Sequence, residues 1–225
     1  MGRKDNGLLI IEIDNPPANT YTHKILCELD EQIVNARFDD SIKVIVVTGK
    51  VENFFSAGGD LKALENKSLP YKYNFALHGQ EVICRIRNTP KFVVAAINGH
   101  AMGGGLELAM AADLRIAKRD GGRVGLTETN LGVMPGMGGS QMLPRLVSRP
   151  TALELCLLGK QISFEEALEL GLIDAIFDKA HYLDRVLEYA RQFIPCAQQL
   201  GRLKQAIYYG SENSMAGGDA SQWMV

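Results

Sequence analysis

The sequence predicts an α/β fold, in which parallel strands and helices alternate along the chain. Continuous apolar runs typical of strands buried inside a parallel sheet recur, as in KVIVVTG at 43–49 and KFVVAAING at 91–99. Segments with apolar residues at helical spacing lie between such runs, as at 23–38. Because the two kinds of segment alternate instead of forming separate blocks, we expect them to pack as layers of one fold.

In the first part of the chain, short turn-forming segments separate the expected elements. The turn NPPAN combines Pro and Asn, and the loop FFSAGGD consists largely of small residues. In chain order we expect a strand at 7–13, a turn at 15–19, a helix at 23–38, a strand at 43–49, a loop at 54–60 and a helix at 73–87.

The second part of the chain continues the alternation. Ser163 followed by Glu166 matches a capping box, which predicts that a helix begins at Phe164. We also expect a strand at 91–99, a helix opened by the glycines at 103–105, a strand at 114–118, a strand-like segment at 123–126, a glycine-rich loop at 132–139, a strand at 172–178 and helices at 182–193 and 200–209. The simplest division is a core at 1–193 and a helical C-terminal region at 194–225.

Composition and charge exclude several classes of protein. The 225 residues carry a formal net charge of −2 and no long basic tract, so neither nucleic acid nor an anionic membrane is an expected partner. No apolar run approaches the roughly 18 residues of a membrane-spanning helix, and the N-terminus has no signal-peptide core. The four cysteines are scattered and form no Cys-x-x-Cys pair, which favours free thiols and a cytoplasmic protein.

The triple glycine at 103–105 allows three chemical interpretations. A dinucleotide-binding fingerprint would need a third glycine where Leu108 stands. A Walker-type phosphate loop would need a lysine before Ser140, where Gly139 stands. The third interpretation is an oxyanion hole, because N–H groups at a helix N-terminus lack partners and lie at the positive end of the helix dipole.

An oxyanion hole usually needs two N–H donors, and the loop SAGGD at 56–60 offers a second glycine pair. Glycine allows a carbonyl oxygen to approach the backbone without meeting a Cβ atom. A purely structural interpretation stays open for both loops. The glycines could serve only close strand–helix packing, and Asp60 could serve only as the N-cap of the following helix.

Two glutamates are candidates for acid/base chemistry. Glu107 stands among apolar residues, and such surroundings disfavour its charged form. Glu128 follows a strand-like segment and precedes the glycine-rich loop. Facing carboxyl groups can accept and donate protons at one reacting centre. The alternatives are that Glu107 caps its own helix on a wet edge and that Glu128 is an ordinary surface residue.

The histidines favour no catalytic or metal-binding interpretation. His100 adjoins the glycine helix, but no Gly-x-Ser-x-Gly nucleophile elbow accompanies it, so we expect a structural role. His23, His78 and His181 show no metal-ligand spacing with one another or with acidic residues. We therefore expect no metal site.

Four segments together identify the chain as similar to the crotonase superfamily, the enoyl-CoA hydratase/isomerase family. They occur in family order and are FFSAGGDLKAL, KFVVAAINGHAMGGGLELAMAAD, TETNLGVMPGMGGSQMLPRLV and LLGKQISFEEALELGLIDAIF. The resemblance implies a spiral of ββα turns and a helical C-terminal region that forms homotrimers or dimers of trimers. It also implies an acyl-CoA thioester substrate and no cofactor other than the coenzyme A within it.

The resemblance also assigns roles to individual residues. The oxyanion-hole N–H groups match Gly59 and Gly104, and the catalytic acids match Glu107 and Glu128. Hydratases of the family have both glutamates, whereas isomerases usually keep one, so hydration of a trans-2-enoyl-CoA is the expected reaction. An enoyl-CoA isomerase and a non-catalytic acyl-CoA- or protein-binding member are the alternatives. The expected substrate-binding residues are Ala57, Gly59, Asp60, Leu61, Lys62, Gly103 and Gly104.

The sequence departs from the family pattern at two places. AKRDGGRVG is one residue longer than the usual loop before Glu128. Family members usually continue with further helix after the point where this chain ends, so region 194–225 is expected to be shortened, either by truncation or by loss of the last helices. We expect Leu64, Leu69, Met134 and Met137 to shape the acyl pocket.

Overall fold

The computed structural model describes residues 2–212, which form two sheets and nine α-helices. The larger sheet has the order β1-β2-β3-β5-β7-β10, and its strands are β1 (Gly2–Asp5), β2 (Leu8–Ile13), β3 (Val44–Gly49), β5 (Phe92–Ile97), β7 (Leu114–Lys118) and β10 (Ala175–Phe177). The smaller sheet has the order β4-β6-β8-β9, and its strands are β4 (Phe54–Ser56), β6 (His100–Met102), β8 (Arg123–Gly125) and β9 (Ile162–Ser163).

The helices are distributed between and after the strands. Short 3₁₀ turns at Glu128–Leu131 and Ile194–Cys196 supplement them. The α-helices are α1 (His23–Phe38), α2 (Leu61–Glu65), α3 (Leu69–Arg87), α4 (Gly104–Ala111), α5 (Gly139–Leu146), α6 (Arg149–Leu157), α7 (Phe164–Glu169), α8 (Tyr182–Arg191) and α9 (Ala197–Glu212). Within residues 2–212, no helix has the length and apolar composition needed to cross a bilayer.

Successive strand pairs build a spiral. The pairs β3–β4, β5–β6 and β7–β8 each place their first strand in the larger sheet and their second in the smaller sheet. The strands of neighbouring turns pair in parallel, with Val44 opposite Phe92 and Ala101 opposite Val124. The expected spiral of ββα turns is therefore confirmed, and a helical C-terminal region is present as α9.

The central strands of the larger sheet are buried on both faces. In β2, Leu9 and Ile11 join the main core beneath α1, α3 and α4, whereas Leu8 and Ile10 face a second core formed with α8. Alternate side chains of a strand point to opposite faces, so a strand buried on both faces must be apolar throughout. This explains the continuous apolar runs in the sequence.

The last described helix is fixed by a buried ionic contact. Lys204 of α9 lies 2.8 Å from Asp113, and both side chains are almost completely buried. The other carboxylate oxygen of Asp113 accepts a 2.7 Å hydrogen bond from the Tyr208 hydroxyl. Because Asp113 also accepts from the Val93 N–H, these contacts join α9 to the start of β7 and to β5.

The long apolar elements agree with the sequence-based expectations. The strands at 7–13, 43–49, 91–99 and 114–118 are β2, β3, β5 and β7, and the helix at 23–38 has the predicted bounds. Ser163 caps α7 by accepting a 3.1 Å hydrogen bond from the Glu166 N–H, as the capping box predicts. The segment at 123–126 contains β8.

Several expectations on boundaries are wrong. The loop at 54–60 contains a strand, β4, whose three residues pair with β6. Helix α3 begins at Leu69 instead of 73, because Ser68 caps it by accepting from the Tyr71 N–H. The strand expected at 172–178 is reduced to Ala175–Phe177, since the N–H groups of residues 172 and 173 bond back to Ala167. Strand β6 and helices α5 and α6 were not predicted.

Candidate active site

Three parallel strands of the smaller sheet bring the candidate residues to one place. Strands β4, β6 and β8 are adjacent and parallel, so their carboxyl ends lie side by side. The residues that follow these ends include Gly59, Gly104 and Glu128, respectively. Carboxyl ends of parallel strands are a frequent place for binding sites, because the connecting loops meet there.

The first loop exposes the Gly59 N–H. Tyr21 forms an isolated parallel bridge with Gly59, in which the Tyr21 N–H donates to Gly58 at 2.7 Å and the Asp60 N–H donates to Tyr21 at 2.9 Å. In such a bridge the N–H of the central residue points away from its partner strand. Among the described residues, the Gly59 N–H has no acceptor.

The second loop exposes the Gly104 N–H at the start of α4. Gly103 is the N-cap, with φ 50°, and its own N–H donates to Gly125 at 2.8 Å. The Gly104 N–H has no acceptor within residues 2–212. It also lies at the positive end of the helix, which favours a negatively charged oxygen nearby.

The two loops pack backbone against backbone. A Cβ atom at Gly58, whose φ is +83°, would lie 2.7 Å from the Gly104 nitrogen. A Cβ at Gly105 would lie 2.1 Å from the Ser56 carbonyl oxygen. Close packing, the structural alternative, is therefore the role of Gly58 and Gly105, and it sets Gly59 and Gly104 on the same wall.

Glu107 lies one turn further along α4 and is almost completely buried. Its Oε1 accepts hydrogen bonds from the Met137 N–H at 2.9 Å and from the Gly139 N–H at 2.7 Å. Burial raises the pKa of Glu107 to about 7, and the Glu128 charge adds to the increase. The two hydrogen bonds lower the pKa, but by less than burial raises it. The alternative of a wet-edge cap of its own helix is wrong.

Glu128 begins the 3₁₀ turn after β8 and is half-buried. Its carboxylate packs against Gly103, since a Cβ at Gly103 would lie 2.9 Å from Oε1 of Glu128. The other oxygen, Oε2, is buried and has no hydrogen-bond partner among the described residues. Burial raises the pKa of Glu128. Glu128 is therefore not an ordinary surface residue.

Both glutamates and the two glycines whose N–H groups have no acceptor among the described residues line one cavity of about 360 Å³. Its apolar lining comes mainly from α2, α3 and the loop before α5, as expected for an acyl pocket. The lining residues are Gly59, Leu61, Leu64, Glu65, Lys72, Phe75, Ala76, Gly104, Glu107, Glu128, Val133, Met134, Gly136 and Met137. Leu69, which we expected to shape this pocket, is not among them.

Four residues expected to bind substrate, Ala57, Asp60, Lys62 and Gly103, do not line this cavity. Asp60 is the N-cap of α2, because its Oδ1 accepts from the Ala63 N–H at 3.0 Å. Ala57 donates its N–H to Ala18, and Lys62 is exposed on α2 without lining the cavity. His100 lies outside the lining and accepts from the Arg123 N–H at 3.1 Å.

Sequence reasoning missed three backbone contacts that support the site, although it did expect Met137 to line the cavity, as it does. Met137 and Gly139 supply the N–H groups that orient Glu107, and the Tyr21 backbone fixes Gly59. The sequence indicated a glycine-rich loop at 132–139, but it did not indicate that this loop hydrogen-bonds to Glu107. Gly139 is the first residue of α5, which was not predicted, so nothing in the sequence indicated a free N–H donor at this position.

Comparisons with known proteins agree with this arrangement. The enoyl-CoA hydratase/isomerase family matches residues 3–218. A probable enoyl-CoA hydratase of Bacillus subtilis is 39% identical over 221 residues, which cover 95% of this chain and 83% of the relative. A carnitinyl-CoA dehydratase of Escherichia coli K12 is 36% identical over 194 residues, covering 86% of this chain and 74% of the relative.

Solved structures show the same fold. A crystal structure of an enoyl-CoA hydratase from Geobacillus kaustophilus superposes with a TM-score of 0.92 at 36% identity, covering 96% of this chain and 82% of that one. An enoyl-CoA hydratase from Bacillus anthracis gives a TM-score of 0.92 at 30% identity, covering 96% and 84%. The chain therefore belongs to the enoyl-CoA hydratase/isomerase family, the crotonase superfamily.

Proposed function

We propose that the protein adds water across the double bond of a trans-2-enoyl-CoA and produces a 3-hydroxyacyl-CoA. The observation that carries the proposal is that Glu107 and Glu128 line one cavity together with Gly59 and Gly104, whose N–H groups have no acceptor among the described residues. Two carboxyl groups suit hydration, because one must take a proton from water while the other gives a proton to carbon.

In the proposed reaction the thioester oxygen accepts hydrogen bonds from the Gly59 and Gly104 N–H groups. Water attacks C3 as Glu107 takes its proton, and the electrons of the double bond move to the thioester oxygen to form an enolate. Glu128 then protonates C2 and the carbonyl re-forms. The carboxyl pair holds one proton before and after, so exchange with solvent restores the starting state. Each N–H donor is worth about 3 kcal/mol of transition-state stabilisation.

The environment of Glu107 suits a general base at neutral pH. A base is most effective when its pKa lies near the working pH, and burial raises the pKa of Glu107 to about 7. The Met137 and Gly139 N–H groups bond the same oxygen, Oε1, and so fix the orientation of the carboxylate. The second oxygen is then available for water.

Substrate specificity tests the reaction type. The purified protein is incubated with crotonyl-CoA, whose conjugated thioester absorbs in the ultraviolet, and separately with a 3-enoyl-CoA. The proposal expects loss of absorbance with the first substrate and formation of 3-hydroxybutyryl-CoA. Formation of the conjugated 2-enoyl product from the 3-enoyl-CoA, with no hydration, would instead assign an isomerase.

The reverse direction is a second candidate activity. One relative is a carnitinyl-CoA dehydratase at 36% identity. Removal of water from a hydroxyacyl-CoA uses the same two carboxyl groups in the opposite order. Incubation with carnitinyl-CoA and with 3-hydroxybutyryl-CoA, followed by the appearance of conjugated absorbance, distinguishes the preferred substrate. Binding of acyl-CoA without turnover of any of these thioesters would favour a non-catalytic member.

Assembly and location belong to the same proposal. We expect a homotrimer or a dimer of trimers, a cytoplasmic location and no cofactor beyond the coenzyme A of the substrate. The four cysteines are unpaired in the structure, which is consistent with a reducing compartment. Sedimentation equilibrium measures the assembly directly, and a monomer at micromolar concentration would contradict that expectation.

A further inference from the structure

A cluster of two histidines and one cysteine lies outside the substrate cavity. His23 and Cys27 are four residues apart on α1, so their side chains share one face of the helix. His78 reaches them from α3, with its ring centroid 5.6 Å from that of His23. One ligand atom from each residue lies within 4.8 Å of the other two.

The separations are close to those of a tetrahedral zinc site. Zinc–sulfur bonds of about 2.3 Å and zinc–nitrogen bonds of about 2.05 Å imply S···N distances of about 3.6 Å and N···N distances of about 3.3 Å. Cys27 Sγ lies 3.6 Å from His23 Nε2. The distances in the cluster are at most 4.8 Å, so they exceed the ideal values by no more than about 1.5 Å. Rotation of the exposed His23 and Cys27 side chains can close this difference.

His78 contributes an independent observation. Its Nδ1 atom is buried and has no hydrogen-bond partner among the described residues. Buried polar atoms are normally satisfied. The ring that carries this unpartnered atom lies beside a thiol and a second imidazole, which is a setting that a bound ion would explain. Imidazole and thiolate together select borderline-soft cations such as Zn²⁺ over Mg²⁺ or Ca²⁺.

We propose that His23, Cys27 and His78 form a Zn²⁺ site with three protein ligands and one position for a solvent molecule. None of the three residues lines the substrate cavity, so the ion takes no part in the reaction proposed above. Spacing between histidines and acidic residues predicted no metal site. The ligand set forms only where α1 packs on α3, and it includes a cysteine, so the positions of the histidines along the sequence do not reveal it.

The site would stabilise the wall of the substrate cavity. His23 is the first residue of α1 and stands two residues after Tyr21, whose backbone pairs with Gly59. Helix α3, which carries His78, also supplies Phe75 and Ala76 to the cavity lining. A metal bridge between α1 and α3 therefore connects the two segments that flank the first oxyanion-hole loop.

Titration of the metal-free full-length protein tests the proposal without any activity measurement. We expect one Zn²⁺ per chain by calorimetry, and thiolate-to-metal charge-transfer bands when Co²⁺ replaces it. Cys27→Ser, His23→Ala and His78→Ala should each weaken binding at least tenfold. Cys84→Ser and His181→Ala, which change an exposed cysteine and an exposed histidine elsewhere, should bind as the unmodified protein does.

Thermal unfolding provides the second measurement. Zn²⁺ at about 100 times its dissociation constant should raise the Tm by about 5–10 °C in the unmodified protein, and this shift should disappear in Cys27→Ser. Because Cys27 is exposed, Cys27→Ser should fold normally, which circular dichroism checks. Zn²⁺ affinity unchanged by Cys27→Ser, or Co²⁺ spectra without thiolate bands, would overturn the proposal.

Discussion

At Glu107, burial and hydrogen bonding act in opposite directions. Burial disfavours the charged carboxylate, whereas the Met137 and Gly139 N–H groups favour it. Burial has the larger effect, so the pKa is raised to about 7. The side chain can therefore gain and lose a proton near neutral pH while it stays in one orientation. A buried, ionisable residue of this kind lowers the stability of the folded protein but can transfer protons at neutral pH.

The stability of the folded protein should fall as Glu107 ionises. With a pKa of about 7 in the folded state and 4.5 as its ordinary value, the folded state binds more protons between those two pH values. Unfolding free energy therefore decreases as pH rises through this window, by about 3 kcal/mol for this group. Glu107→Gln removes the effect and should be the more stable protein at pH 8 but not at pH 4.5.

Urea denaturation at the two pH values measures this difference. Glu188→Gln, which changes an exposed glutamate on α8, serves as the control and should follow the unmodified protein at both pH values. If Glu107→Gln differed from the unmodified protein by the same amount at both pH values, ionisation of Glu107 would not be the cause.

Gly58 packs against Gly104, the second proposed oxyanion-hole donor, and does not itself line the cavity. In Gly58→Ala the new methyl group would lie 2.7 Å from the Gly104 nitrogen and 3.0 Å from the Met102 oxygen. We expect the two loops to separate and the hydration rate to fall about 100-fold or more. Gly171→Ala is the matched control, because φ is +78° there and the nearest atom lies at 3.5 Å.

The two glycine variants separate backbone strain from loop displacement. Both substitutions place an alanine at positive φ, which costs on the order of 1–3 kcal/mol. Only Gly58→Ala should lose activity, as measured by crotonyl-CoA hydration at a temperature where both variants are folded. Equal rates in the two variants would show that contact between the loops does not position the donor.

At the level of elements, α9 depends on the buried Asp113 carboxylate. Asp113→Asn keeps the shape of the side chain but removes the negative charge that compensates Lys204, whose side chain is 5% exposed. Breaking a buried pair by removing one partner typically costs about 3–5 kcal/mol. We expect a loss of unfolding free energy in this range, measured by urea denaturation.

The exposed pair Lys24–Glu28 on α1 provides the comparison for Asp113→Asn. Glu28→Gln should change the unfolding free energy by less than about 1 kcal/mol, because exposed pairs are screened by water and salt. A loss in Asp113→Asn as small as that in Glu28→Gln would show that the ionic contact does not anchor α9.

Elements could be predicted from sequence where a long apolar pattern determines them. Strands β2, β3, β5 and β7 are buried on both faces or at the centre of the sheet, and their patterns need no knowledge of partners. Strands β4 and β6 have three residues each, too few for a period to show. Their conformation comes from pairing with each other across the spiral.

In the candidate site, too, some residues could be predicted from local sequence and others could not. Glu107, Glu128 and the two glycine loops could be selected because their residue types are unusual in their local surroundings. The donors to Glu107 lie 30 and 32 residues away, and the contact between Gly58 and Gly104 joins different turns of the spiral. Such long-range contacts depend on how the turns of the spiral stack, and local sequence patterns do not predict that stacking.

For the whole molecule, the spiral itself explains why this fold forms this site. Each turn adds one parallel strand to the smaller sheet, so the ends of β4, β6 and β8 are brought side by side. One end carries the first N–H donor, the next carries the second donor and Glu107, and the third carries Glu128. The site therefore needs three turns, although each turn contributes only one or two groups.

The most direct test of the account compares crotonyl-CoA hydration by the unmodified protein, Glu107→Gln and Glu128→Gln. The amide variants keep the shape of both side chains and remove their proton transfer. The account predicts rapid loss of absorbance in the unmodified protein and rates at least about 100-fold lower in each variant, with acyl-CoA still bound. A variant that hydrates crotonyl-CoA at the unmodified rate would contradict the proposed roles of the two glutamates.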